Sequence, residues 1–150
     1  MKEITEFRGE YRWLSNFWQA PIEVGGWIWP TNEHAYQAAK SLDPRDWKKI
    51  QERASPHYAK VDGRSVNMRP DWEEIKIEVM REIIHAKFDQ HPDLHAKLMA
   101  TKGMMLVEGN HWGDTFWGVC RGMGTNHLGR IIMEYRDSHY LQNNLENACG

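Results

Sequence analysis

Apolar residues recur with a helical period along most of this chain. From Pro70 to Phe88 they fall at Trp72, Ile75, Val79, Met80, Ile83, Ile84 and Phe88, which predicts one long central helix with a buried stripe. Ahead of it the pattern predicts a helix over Glu33 to Leu42, a second capped by Asp43-Pro44 and running to about Arg53, and a brief third begun by Ser55-Pro56. Behind it, Pro92 opens a helix that stops near Gly103, and Met104 to Val107 reads as a short strand. Asn126 caps a final helix whose Leu128, Ile131, Ile132 and Tyr135 face inward. Strand patterning is confined to Ile22 to Trp29, alternating around Gly25-Gly26 as a short hairpin, while Phe7 to Phe17 is aromatic and irregular. The expected class is mainly α (α+β): a helical bundle with a small β element near the N-terminus. No repeat or linker interrupts residues 1–141, which read as a single domain, and the polar stretch 142–150 reads as a loose tail.

Composition narrows this picture only a little. At 150 residues, 41% hydrophobic and 27% charged, the chain suits one globular core. A net charge of -2 argues against broad duplex binding, which needs a basic face, but leaves room for a local phosphate pocket. With neither an apolar run of membrane length nor a signal-peptide pattern, a cytoplasmic protein without membrane association is expected. Two cysteines, Cys120 and Cys149, make a structural disulfide an unattractive reading. Eight histidines raise the question of a metal, yet no HExxH or paired Cys/His spacing occurs. His91 and His95 read as surface residues, and no metal or cofactor is expected.

The run Trp29-Pro30-Thr31-Asn32-Glu33-His34-Ala35-Tyr36-Gln37-Ala38-Ala39-Lys40 carries the densest chemistry. Thr31 or Asn32 caps a helix, Glu33 lies in its first turn, and Tyr36, Gln37 and Lys40 follow at i+3, i+4 and i+7. Seven residues of helical rise separate Glu33 and Lys40 by about 10 Å at nearly the same azimuth, and the lysine leans back toward the N-terminus. The pair is therefore either a site or a solvated face with a remote ion pair.

Tryptophan placement offers a second clue. Trp13, Trp18, Trp27 and Trp47 read as core anchors, whereas Trp112 and Trp117 bracket Gly113-Asp114 in a loop where an aromatic face can stack on a base or sugar. Trp117 is equally a pocket or a core residue, and the helical phase of Trp72 suits the core as well. The stretch Gly118 to Gly129, with four glycines and Asn126 before a helix, could present backbone N–H groups to phosphate, or be a plain flexible loop.

Taken in order, Phe7-Arg8-Gly9-Glu10-Tyr11-Arg12-Trp13-Leu14-Ser15-Asn16-Phe17, the Trp29 to Lys40 run, Ala59-Lys60 with Gly63-Arg64, Trp72 with Lys76, Ala86-Lys87-Phe88, Leu106-Val107-Glu108, and Trp117-Gly118 ahead of Gly122, Gly124, Asn126, Leu128 and Gly129 resemble the NADAR (YbiA-like) family. The likeness extends from Phe7 to Arg136. Cys120 departs from it where a glycine is expected, and Ser41 where an aromatic residue is common. Members of that family are N-glycosidases, some acting on ribosylamino-pyrimidine intermediates of riboflavin synthesis and others removing ADP-ribose from guanine. The resemblance thus implies a hydrolase for a phosphorylated ribosyl or ADP-ribosyl compound, either a small nucleotide or an ADP-ribosylated guanine in a nucleoside or nucleic acid, with no obligate protein partner. A non-catalytic module that senses NAD or ADP-ribose is the alternative.

The bond to be broken assigns roles. A ribosyl N-glycoside leaves through an oxocarbenium-like state, so Glu33 is the candidate for stabilising positive charge at the anomeric carbon. Lys40 either holds an anion as a cation or, with a depressed pKa, attacks that carbon and forms a Schiff base; the resemblance favours the second. Asp114 is a candidate base for water. Arg8, Arg64 and Lys76 are candidate phosphate ligands, and Ser15, Asn16, Phe17, Trp72, Trp117, Gly118 and Asn126 complete the expected substrate-binding set. Glu33 and Lys40 are expected to share a pocket with the Trp112 to Trp117 loop and with Ser15-Asn16-Phe17.

Overall fold

The computed structural model describes residues 2–149. In chain order its elements are β1 (Glu3–Ile4), a 3-10 helix (Gly9–Leu14), β2 (Ile22–Val24), β3 (Trp27–Trp29), α1 (Asn32–Ala39), α2 (Pro44–Gln51), α3 (Pro56–Gly63), α4 (Trp72–Gln90), α5 (Pro92–Met99), β4 (Met105–Leu106), β5 (Gly109–Asn110), β6 (Val119–Cys120) and α6 (His127–Cys149). The architecture is mainly helical, as the periodicity requires. The chain forms two compact units, one contiguous over Asn16–His91 and one combining the residues up to Ser15 with those from Pro92 onward.

The contiguous unit is built around α1, which packs on α2, α3 and α4, while α4 also packs on β2. Thr31 caps α1 by accepting from the His34 amide at 3.2 Å, and Ser55 caps α3 in the same way. Asp43 caps α2 ahead of Pro44, where a missing N–H costs nothing. β2 and β3 form the expected antiparallel hairpin in the register Ile22 to Trp29, with Gly25 and Gly26 at positive φ in the turn. Ile22, Ile50, Ala59, Trp72, Met80, Ile83, Ile84 and Phe88 are buried. Trp29 and Trp27 stack at 5.7 Å and Trp47 meets Trp27 edge-on, but Trp18, Trp27 and Trp47 are only half-buried and are not the core anchors expected of them.

The second unit holds two β pairs, of whose strands the sequence pattern anticipates only the one at Met105–Leu106. β1 pairs in parallel with β4, and β5 in parallel with β6. Ile4, Trp13, Leu14, Leu94, Leu98, Leu106, Leu128, Ile131, Ile132 and Tyr135 are buried here. α6 continues through the polar end of the chain to Cys149, with residues 141–148 exposed.

Candidate active site

Every residue of α1 from Asn32 to Ala38 is buried, although four of those seven are Asn, Glu, His and Gln. A helix normally buries one apolar stripe and solvates the rest, and buried polar groups are costly unless bonded. Most of the α1 polar groups have identifiable partners. His34 Nε2 lies 3.0 Å from the Arg53 carbonyl, which can only accept, so that nitrogen carries the proton and Nδ1 accepts from the Thr31 hydroxyl at 2.8 Å. Burial lowers the His34 pKa against the opposing pull of the Arg53 carbonyl, which keeps the imidazole neutral and tethers α1 to the end of α2. The Asn32 amide donates to Asn16 Oδ1 at 3.1 Å, and the Glu33 amide donates to the Asn16 carbonyl at 3.0 Å.

Glu33 is 8% exposed, and its Oε1 accepts from Gln37 Nε2 at 2.7 Å, one turn along. Lys40 stands at the C-cap, half-buried, with its ammonium 5.6 Å from the centre of the Tyr36 ring. Trp72, 3% exposed, meets that ring edge-on at 5.2 Å, so it fixes Tyr36 from behind and belongs to the core. The Lys40 pKa is lowered, first by burial of the amine. Lys60 and Arg64 push it the same way, while Glu33 and Glu73 oppose them. These charges identify the neighbourhood: two acids and three cations, Lys40 included, from α1, from α3 with its C-cap and from α4. Lys76 is half-buried and pairs with Glu73 at 2.6 Å. Asn16 is buried, whereas Phe17 is 40% exposed.

Lys60 is the member that residue-by-residue reading passes over. The signal is present in Ala59 and Gly63, both buried and four apart on α3, whose small size allows α3 to approach α1 closely and brings the adjoining Lys60 and Arg64 with it.

In the other unit, Arg8 lines a concavity of about 390 Å³ with Glu6, Asn110 and His111. Its guanidinium is 3.3 Å from His111 Nδ1 and 5.7 Å from the centre of the exposed Trp112 ring. Ser15 is half-buried at the C-cap of the 3-10 helix. Asp114 is committed to its own loop: its Oδ1 accepts from the amides of Phe116 at 3.1 Å and Trp117 at 2.9 Å, and Asn110 bonds its backbone on both sides. Trp117 is half-buried and packs edge-on against Phe116.

Much of the glycine-rich stretch is a built turn tied to its own backbone. The amides of Val119, Cys120, Met123, Thr125, Asn126, His127 and Leu128 all donate to backbone carbonyls. Cys120 and Met123 bond each other in both directions around Arg121 (φ 53) and Gly122 (φ 77), a type I′ turn. Gly118 is required because a Cβ there would strike Glu108. Asn126 does stand at the N-cap of α6, its carbonyl accepting from Arg130, but its side chain clamps β4, accepting from the Glu108 amide at 3.0 Å and donating to the Leu106 carbonyl at 2.9 Å.

Comparison with known proteins places this arrangement in context. The NADAR domain model matches residues 5–139. The chain is 43% identical over 131 residues to the N-glycosidase YbiA of Escherichia coli K12, covering 85% of this chain and 81% of that protein. It is 36% identical to an N-glycosidase of Nostoc punctiforme, with 85% of each covered. A riboflavin biosynthesis protein of Vibrio vulnificus is 40% identical over 127 residues, which span 83% of this chain and 34% of that longer protein. The NMR structure of Escherichia coli YbiA superposes with a TM-score of 0.83 at 38% identity, covering 95% of this chain and 89% of the other. No helix among the described residues is long and apolar enough to cross a membrane.

Proposed function

The chain belongs to the NADAR family, and on that footing we propose that it is an N-glycosidase whose catalytic pair is Glu33 and Lys40. The observation that carries the proposal is the Lys40 amine, half-buried at the end of a helix otherwise sunk in protein, its pKa lowered first by burial and further by Lys60 and Arg64 against the pull of Glu33 and Glu73. An amine so placed is a nucleophile at milder pH than a solvated lysine.

The neutral Lys40 Nζ attacks the anomeric carbon of a ribosyl N-glycoside as the C–N bond to the base breaks. The base nitrogen takes the bonding pair and a proton, and the proton lost by the amine balances it. Ring opening then expels the ring oxygen, which takes the remaining proton of the Lys40 nitrogen, and leaves a Schiff base between Lys40 and the open sugar. Water adds to that carbon, the amine departs, and the sugar recloses, so the net change is hydrolysis. The ionised Glu33 stabilises the oxocarbenium character of the first step, where charge develops and water is excluded. Lys60 and Arg64 hold the phosphate of the substrate, and Phe17 offers a stacking face. Asp114 shapes its loop through one carboxylate oxygen, which accepts from the Phe116 and Trp117 amides, and its other oxygen remains the candidate base for water.

The substrate is a phosphorylated ribosylamino-pyrimidine of riboflavin synthesis, a reading favoured by the names of two curated relatives from Vibrio vulnificus and Zea mays; an ADP-ribosylated guanine is the competing one. Incubation with each compound, following free base and free sugar phosphate or ADP-ribose, decides between them. Borohydride added during turnover should leave a reduced sugar adduct on Lys40, and Lys40→Arg should abolish both adduct and turnover while the fold survives. An active Lys40→Arg enzyme would refute the covalent route. Tight binding without release of either product would favour the sensor reading.

A further inference from the structure

We propose that Gln37 is a positioning residue for Glu33 and that the absent side chain of Gly63 is what holds it in place. The inference rests on the reading of Glu33 as the transition-state stabiliser. A carboxylate only accepts hydrogen bonds, so the Gln37 amide must turn its Nε2 toward Glu33, as it does at 2.7 Å, and its Oε1 the other way. That Oε1 is buried with no hydrogen-bond partner among the described residues. It rests against Gly63 at the end of α3, where a Cβ would collide with Oε1 and come within 2.7 Å of Cδ.

The arrangement makes little sense as packing alone. An orphaned buried carbonyl is destabilising, and an apolar residue of similar length at position 37 would remove the cost. Gly63 is not needed for its backbone either, since its φ lies outside the left-handed region where glycine is favoured. Both features are accounted for if the amide is kept to aim the carboxylate oxygen. Gln37 sets where Glu33 points, and Gly63 sets where Gln37 can be.

Double-mutant cycles in kcat and KM for base release test this. Gln37→Ala should lower kcat by up to about 100-fold, the scale of an ångström-sized misplacement, with KM within about twofold. Glu33→Gln/Gln37→Ala should be no slower than Glu33→Gln, because there is then no carboxylate to aim. Gly63→Ala should mimic Gln37→Ala but add nothing in the Gln37→Ala background, where only a 3.1 Å contact with the Cβ of residue 37 remains to be relaxed. Full additivity in either cycle, or a rise in KM at unchanged kcat, overturns the proposal. If the wild-type protein releases base from neither substrate, the catalytic reading itself has failed. The same cycles read by thermal unfolding then decide the placement of Gln37: coupling of positions 37 and 63 upholds it and additivity refutes it.

Discussion

At Lys40 four separate charges act on one amine, two raising its pKa and two lowering it, and they make its titration steerable in both directions. Lys60 lowers the Lys40 pKa and Glu33 raises it. A nucleophilic amine must be neutral, so the rate should climb as pH rises through that pKa. Lys60→Met removes a repelling charge and should move the midpoint of the rise in kcat/KM to higher pH. Glu33→Gln removes an attracting one and should move it lower, while slowing turnover by about 100- to 1000-fold through the lost stabilisation of the transition state. Shifts in the same direction, or none, would show that the titrating group is not Lys40. At this scale the sequence reveals Glu33 and Lys40 because one helix carries both and its period is known. It does not reveal that Asp114 spends a carboxylate oxygen on the Phe116 and Trp117 amides, since an acid between two tryptophans looks the same whether it faces a ligand or its own turn.

Among the elements, α1 is held by its cap as much as by its packing. Thr31→Ala removes the acceptor for the His34 amide and the donor to His34 Nδ1 at a fully buried position, and should cost about 2 kcal/mol in a denaturant titration. The Cys120 to Met123 turn predicts the opposite sign. Arg121 holds φ 53 beside Gly122, and Arg121→Asn creates the Asn-Gly pair that such turns prefer, so it should raise stability by about 1 kcal/mol. Helices are legible in the sequence because 3.6-residue periodicity and Pro, Ser and Asp caps accumulate over many residues. β4 lies within the Met104 to Val107 run, but β1, β5 and β6 are not legible, because an alternation cannot declare itself in two residues and their partners are set by other parts of the chain. The turn stays open between two readings for a related reason: glycine marks positive φ equally in a phosphate-binding loop and in a hairpin, and only the destination of the amides separates them.

For the molecule as a whole, the largest charge out of place is Lys87, 1% exposed on α4, whose pKa burial lowers to about 7. Between that value and the ordinary 10.5, the unfolded chain binds a proton that the folded chain does not, so stability should rise with pH across this window and be lowest below it. Lys87→Met lacks this penalty. Its melting temperature should exceed that of the wild type by several degrees at pH 6, with the gap closing toward pH 10; a constant gap would mean that the lysine titrates normally. Ala86-Lys87-Phe88 is one segment of the family resemblance, but the sequence does not mark Lys87 as buried, since neighbouring helical phases differ by only a hundred degrees. The parallel pairing of β1 with β4 also bears on how the protein is made. Glu3 and Ile4 leave the ribosome about a hundred residues before Met105 and Leu106, with the contiguous unit emerging between them. At ordinary rates of translation the first strand waits roughly 5 to 20 seconds for its partner. Any sequence fused ahead of Glu3 is attached to an unpaired strand for that whole interval, whereas one fused behind α6 is synthesised only after the partner has arrived.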